Sequence, residues 1–359
     1  MTLILNNEDV KQVLTMDLCM EALEKAFVEL GKKNAFNIQR IHPYFPSSKP
    51  ETFFRPKIMG GFVPAFGVLA IRICPEFIQF PVMDGLRRQI KIAAAPGNRY
   101  NGLIHLYSAE TGELLAILQD AYLQKMRVGA TSAIAAKVLA RPDAAVLGLF
   151  GTGWQAGSHL EAFCKIRKIA RVKVFSPNRD HRISFAHEMG SRFNVDVIPV
   201  DDPRTVVEAS DLVVTATSSN EPVFRGAWLE PGMHVGSIVN TDEMNKRTEL
   251  DAETFKRADL IVVNSKEFLK QMNQRELLDL VDAGIIPWDG IHELGELLAG
   301  KVSGRSTSRQ ITLFKNNVGL GIQFSAVGAE ILREATTTGL GREIPTDWFL
   351  QTRKGTPTY

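Results

Sequence analysis

Residues 145–156 read Ala-Val-Leu-Gly-Leu-Phe-Gly-Thr-Gly-Trp-Gln-Ala, and no other stretch restricts the fold of this 359-residue chain so strongly. An apolar run of strand character stops at Gly151, Gly153 follows, and Ala156 stands where a third small residue is needed. A helix-forming segment, Ser158 to Ile166, comes next. Strand, glycine turn and helix in that order form the context in which a G-x-G-x-x-G/A pattern binds a dinucleotide. Gly151 permits the tight turn, Gly153 lets a pyrophosphate approach the backbone, and Ala156 lets the helix pack closely on the strand. With Thr152, Trp154 and Gln155 completing the turn, the N–H groups of the helix N-terminus face the phosphates. The plain alternative is a glycine-bearing turn in an ordinary α/β protein.

The rest of the chain extends this pattern. Residues 8–33 predict a helix, with Leu14, Leu18, Ala22, Phe27 and Leu30 on one apolar face and Gly31 as a stop. Pro43, Pro46, Pro50 and Pro56 then predict short extended pieces and turns. Strand-like runs at 67–73, 102–107 and 114–118 suit a meander or mixed sheet, and 127–139 reads as an Ala-rich helix. From Val146 a β–α rhythm sets in, with strands expected at 146–150, 172–175, 195–199, 212–215, 233–238 and 260–264. That alternation predicts a doubly wound parallel sheet of Rossmann type. The final apolar-periodic stretch, 319–332, is expected to return to the first domain. The fold class is therefore α/β, a Rossmann sheet plus an α+β substrate-binding and dimerisation domain. The expected boundaries are 129–321 for the dinucleotide-binding domain and 1–128 with 322–359 for the other.

Composition excludes several classes. Lys plus Arg number 42 against 40 Asp plus Glu, so no global field argues for nucleic acid or an anionic membrane. No apolar run approaches the roughly 20 residues of a spanning helix. The first residues lack the pattern of a signal peptide, and the cysteines Cys19, Cys74 and Cys164 lie far apart without metal-type spacing. The cytoplasm is the expected compartment and free thiols the expected state.

Coenzyme choice is read at the end of the second parallel strand, where an acid would hold the ribose 2′-hydroxyl. Here stand Ser176, Asn178 and Arg179, with Asp180 arriving late. Ser176 and Arg179 suit a 2′-phosphate, so the pattern leans to NADP over NAD. Thr215, Ala216, Thr217 and Ser218 end the fourth strand, where small residues line the ligand crevice of an open sheet or cap a helix.

A family resemblance emerges from three segments. Leu115 to Ala140, containing Asp120 and Arg127-Val-Gly-Ala-Thr-Ser-Ala, runs into Gly151-Thr-Gly-Trp-Gln-Ala156. Further on stands Val235-Gly-Ser-Ile-Val-Asn-Thr-Asp242, then Glu249-Leu-Asp251. Together they resemble the ornithine cyclodeaminase/mu-crystallin family over nearly the whole chain. The resemblance implies a substrate and dimerisation domain beside a Rossmann domain, assembled as a homodimer. It places Arg127 and Arg40 at the substrate carboxylate, a role that suits a guanidinium fork. The bland reading of Arg127 is an ion pair with Asp120. It places Asp242, or adjacent Glu243, as the acid that exchanges a proton with the substrate nitrogen. Where the family carries a lysine, one registration gives Arg72 and another Lys91, because 74–101 reads as an insertion. An arginine stays charged and cannot serve as that base. Arg87, Arg88 and Arg99 bind a second anionic group or are solvated. The segment 308–319 corresponds to a strand and loop closing over the nicotinamide, with Asn316 and Asn317 available to the carboxamide or to a helix cap. His234 and His292 read as structural.

The expected activity is NAD(P)-dependent oxidoreduction at a C–N bond of a small amino acid, keto acid or imine. The alternatives are a cyclodeaminase-like ammonia lyase with recycled NAD and a mu-crystallin-like protein that binds NADP and a small ligand.

Overall fold

The computed structural model describes residues 1–83, 86–239, 241, 244 and 247–352. The chain opens with β1 (Thr2–Leu5), α1 (Asn7–Val13) and α2 (Met16–Gly31). The single helix expected over 8–33 is thus two, because Thr15 leaves the helical conformation and its hydroxyl accepts the Leu18 N–H as an N-cap. Strands β2 (Phe36–Ile41), β3 (Phe45–Pro46), β4 (Thr52–Val63) and β5 (Val68–Gln79) follow. A two-strand ribbon, β6 (Val82–Met83) with β7 (Leu86–Arg87), precedes β8 (Ile90–Ile92), β9 (Leu103–Ser108) and β10 (Leu114–Gln119). Prolines in 43–56 suggested only short pieces, yet β4 and β5 pair over twelve residues each, with Pro56 opposite Pro75. Two prolines facing each other cost the pair only donors it would otherwise share, so the ladder continues past them.

Helix α3 (Ala121–Leu139) starts six residues earlier than the sequence pattern suggested and has 13 buried residues, among them Arg127. It packs on α2 on one side and, across the molecule, on α4 (Trp154–Ile166). Residues 126–136 are buried without a break, so this part of the helix needs no amphipathic face.

The second sheet contains β11 (Val146–Phe150), β12 (Arg171–Phe175), β13 (Asp196–Pro199), β14 (Leu212–Thr215), β15 (His234–Ser237), β16 (Leu260–Val263), β17 (Ile291–Glu293) and β18 (Thr312–Lys315). All its pairs are parallel and its order is β13-β12-β11-β14-β15-β18-β16-β17. The six expected strands are present within two residues at each end. Strand β17 was not foreseen, whereas β18 falls in the segment 308–319 that the resemblance gave as a strand and loop; β18, the last strand of this sheet in chain order, inserts between β15 and β16. The chain reverses direction of winding at β11, so the crevice outside the ends of β11 and β14 is the natural ligand site.

Helices α5 (Arg179–Phe193), α6 (Pro203–Val207), α7 (Ala252–Arg257), α8 (Lys266–Gln271), α9 (Arg275–Asp282) and α10 (Leu294–Leu298) accompany this sheet. The chain then returns: α11 (Gly321–Thr338) packs on β4, β5 and α2, and β19 (Arg342–Ile344) pairs with β1. The first sheet is thereby nine-stranded, with order β19-β1-β10-β9-β5-β4-β2 and β3 and β8 attached to β4 and β5. Among the described residues no helix is long and apolar enough to cross a membrane.

Candidate active site

A cavity of about 770 Å³ lies between the two sheets, and its wall is divided by chemistry. The half from the parallel sheet offers an open glycine turn and a helix N-terminus. Gly151 ends β11 with φ +106, and a Cβ there would sit 2.4 Å from the Ala216 carbonyl oxygen. Only glycine fits that combination of angle and approach. Gly153, the N-cap of α4, makes no side-chain cap, and a Cβ added to it would meet nothing within 4 Å. The helix N-terminus therefore opens uncapped onto the cavity, the arrangement an anionic diphosphate needs. Thr152, Trp154 and Gln155 line the cavity beside it, as do Ser176, Ala216, Thr217 and Ser218. These residues fit a dinucleotide.

The other half is cationic. Arg127 on α3 is 6% exposed, and its Nη1 donates to Gln323 Oε1 at 3.1 Å and its Nε to Gln124 Oε1 at 3.3 Å. Phe324 lies beneath it, 5.7 Å from the guanidinium carbon. Among the described residues no carboxylate lies within ion-pair distance of Arg127. Burial, then the charges of Arg72 and Arg40, push it down to about 9, so at neutral pH it is a charged fork that lacks an anion. Asp120, the alternative partner expected from sequence, is taken by Arg72 instead, with Nε–Oδ2 at 2.6 Å and Nη2–Oδ2 at 2.5 Å. Arg72 on β5 has the side of α11 for its other neighbour, stacking 5.2 Å over Phe324. Arg40, Arg88 and Lys91 also line the cavity, whereas Arg87 stacks on Phe80 and Arg99 Nε donates to the Pro96 carbonyl.

Several residues expected at the coenzyme lie elsewhere. Ala156 is fully buried against the sheet, the packing role read from the motif. Thr215 is also fully buried and donates to Glu249 Oε2 at 2.8 Å. Asn178 caps α5 by accepting the His181 N–H, and Arg179 is exposed at the start of that helix, outside the cavity wall. Asn317 is enclosed, its Oδ1 accepting from the N–H groups of Asn264 and Ser265 and its Nδ2 donating to the Ser265 carbonyl. Its neighbour Asn316 lines the cavity, because consecutive residues at the end of β18 point to opposite sides. Asp242 and Glu243 lie outside the described residues. His234 is fully buried, with Nδ1 2.9 Å from Thr312 Oγ1, and is structural; His292 sits on β17 away from the cavity.

Two clusters escaped the sequence. Glu249, fully buried, accepts from Thr215, Thr217 and Ser237 hydroxyls and from the N–H groups of Thr217, Ile238 and Val239. One carboxylate thus ties the loops after β14 and β15 into the cavity rim. On the first sheet, Glu76 of β5 receives Arg55 and Lys57 of β4 and Lys91 of β8. Although burial opposes it, Lys57, Lys91 and Arg55 hold the Glu76 carboxyl well below the usual carboxylate range. Burial, with the charges of Lys91, Arg55 and Arg40, in turn lowers Lys57 to about 7. The available signal was the spacing by two of Arg55 and Lys57 on one strand and of Arg72, Cys74 and Glu76 on the next. Among the described residues no group of three or more His, Cys, Asp or Glu side chains is arranged to hold a metal ion.

Comparison with known proteins agrees with this geometry. The sequence profile of the ornithine cyclodeaminase/mu-crystallin family matches residues 94–338. An uncharacterized cyclodeaminase of Sinorhizobium fredii is 30% identical over 341 residues, 94% of this chain and 97% of that protein. The structure of Thermococcus litoralis Δ1-pyrroline-2-carboxylate reductase in complex with NADH and L-proline has a TM-score of 0.81 at 28% identity, covering 96% of this chain and all of the other. An archaeal alanine dehydrogenase dimer with bound NAD has a TM-score of 0.79 at 28% identity, covering 96% and 99%.

Proposed function

This chain belongs to the ornithine cyclodeaminase/mu-crystallin family, and from that premise we infer that it is an NAD(P)-dependent oxidoreductase acting at a carbon–nitrogen bond of a small, carboxylate-bearing substrate. The observation that carries this reading is one cavity walled on one side by an uncapped helix N-terminus behind a glycine turn and on the other by Arg127, a buried guanidinium without an anion.

In this reading Gly151 to Gln155, Ser176 and Ala216 to Ser218 hold the coenzyme, which supplies or accepts a hydride at the substrate carbon. The remaining work falls to side chains. Arg127, steadied by Gln124, Gln323 and Phe324, orients the substrate carboxylate, with Arg40 beside it. Arg72 is engaged by Asp120 and keeps its proton, so it serves as a fixed charge that orients the polar end and not as a base. Asp242 exchanges the proton with the substrate nitrogen; Ile238 before it in sequence and Arg247 after it are both in the cavity wall. Substrate reduction is the favoured direction. With Ser176 at the end of β12 and no acid there, the coenzyme reading favours NADP over NAD.

We assign residues 1–128 with 322–359 to substrate binding and dimerisation and 129–321 to the dinucleotide. The first sheet supports a homodimer: on the face away from the cavity, Ile41, Ile58 and Ile73 stand in one cross-strand row and are 55%, 36% and 38% exposed. An apolar row on a sheet face invites a partner.

The test is absorbance of the reduced nicotinamide with NADPH and NADH across cyclic imines, keto acids with ammonia, and amino acids. Stoichiometric consumption of coenzyme is expected. Turnover without net consumption points to the lyase, and no calorimetric binding of either coenzyme overturns the reading.

A further inference from the structure

Resting on that reading, we propose that the substrate is a dicarboxylate, and that Lys57 and Lys91 beside Glu76 form the subsite for its second carboxylate.

Charge is the first reason. Arg127 already answers one carboxylate. Arg55 and Lys91 bring two further cations to the same cavity, and Lys57 adds an ammonium that an incoming anion would keep charged, against the single carboxylate of Glu76. Enclosing cations in excess of anions is costly and is offset when an anion arrives. Arg88 adds another cation, its buried Nε without a hydrogen-bond partner.

Donor geometry is the second. The Arg55 fork is occupied, with Nε and Nη2 on Glu76 Oε2 at 3.0 and 2.5 Å and Nη1 on the Tyr44 hydroxyl at 2.5 Å. The ammonium groups differ: Lys57 contacts Glu76 Oε2 at 2.9 Å and Lys91 contacts Oε1, each keeping further donors for a ligand oxygen. Burial and neighbouring positive charge hold Lys57 near 7, the mark of a site that gains from an added anion.

Placement is the third. Met59 lies opposite Arg72 and Lys57 opposite Cys74, so Lys57 is displaced by one strand repeat, roughly 7 Å, from the level of Arg72, which shares the Phe324 ring with Arg127. That is the scale of a short dicarboxylate. Lys91 comes from β8, in the segment that the sequence marked as an insertion. Asn220 Nδ2 of the opposite lobe donates to the Arg87 carbonyl, anchoring this segment across the cavity mouth.

The experiment is calorimetric titration of the full-length protein with succinate, glutarate, propionate and butyrate, with and without coenzyme. We expect each diacid to bind at least tenfold more tightly than the monoacid. Lys57→Met and Lys91→Met should each reduce that ratio at least fivefold, while Lys25→Met on the surface of α2 should leave it within twofold. Lys91 is half-exposed, so its variant reports even should Lys57→Met fail to fold. A wild-type ratio under threefold, or a ratio unmoved in both variants, overturns the proposal. Equal turnover of monocarboxylic and dicarboxylic imines sinks the subsite and leaves the oxidoreductase reading intact. Absence of coenzyme binding sinks that reading, while the titration without coenzyme still decides the subsite.

Discussion

The two walls of the cavity recognise ligands by opposite means. The parallel sheet presents the backbone N–H groups of one glycine turn, flanked by Trp154, Gln155 and the small residues 216–218. The first sheet presents guanidinium and ammonium groups on long side chains, held in place by carboxylates roughly 15 to 50 residues away in sequence, as with Lys91 and Glu76 or Arg72 and Asp120. The first wall suits a ligand part common to many enzymes, and in the proposed function the second is where a particular substrate is chosen. A backbone cradle tolerates almost any sequence outside its glycines, whereas each charged side chain can be exchanged singly.

That contrast is open to direct attack. The largest effect is expected at Gly151: Gly151→Ala forces a Cβ against the Ala216 carbonyl at positive φ, a strain of about 1–3 kcal/mol or more. Both the unfolding midpoint and coenzyme affinity should collapse together. Gly153→Ala separates the two. Its φ of −88 suits alanine and its Cβ enters open space, so stability should hold. Coenzyme affinity measured by fluorescence titration should still fall roughly 10- to 100-fold, the worth of a displaced charge-assisted hydrogen bond at about 1.5–3 kcal/mol. Unchanged affinity would show that the phosphates lie elsewhere.

On the other wall, Arg127→Met should raise KM for carboxylate substrates by roughly 10- to 100-fold. It should cost little stability, because it removes a buried charge that has no counter-ion. A large drop in unfolding free energy with unchanged KM would make Arg127 structural.

Acidification probes the packing behind the parallel-sheet wall, where His159 on α4 meets Ser132 and His234 on β15 meets Thr312. Burial holds His159 down to about 4 and His234 to about 3, so both are neutral in the folded protein. Free imidazole titrates near 6.5, so below that pH the unfolded chain binds more protons than the folded one. Unfolding free energy should fall as pH drops from about 6.5 toward 4, by roughly 1.4 kcal/mol per unit for each histidine. Denaturant melts at pH 7.5, 6 and 5 check this, and a flat profile contradicts it. The smallest effect is reserved for Arg179→Ala. An exposed arginine at the rim should change NADPH affinity by only about two- to fivefold and NADH affinity not at all.

Legibility follows the same division. The strand, turn and helix at 146–166, the strand Leu212–Thr215 and the returning helix α11 could all be read from neighbours along the chain. The pairing of β4 with β5 could not, since prolines 43 to 56 argued locally against a long strand and only the partner ladder overrides them. Asn316 and Asn317 looked interchangeable until the end of β18 put one in the cavity wall and enclosed the other against the backbone N–H groups of Asn264 and Ser265. Asp120 stood as near in sequence to Arg127 as any acid, yet the fold gave it to Arg72.

Read alone, the order of residues determined the glycine turn after β11 and the parallel sheet. Steric limits on glycine and the periodicity of buried side chains act over a few residues, so they are written in local sequence. Tertiary structure alone decided which cation meets which carboxylate, and where the surplus of positive charge collects. Strand register brings together residues that the chain keeps apart, and Coulomb energy depends on that separation in space.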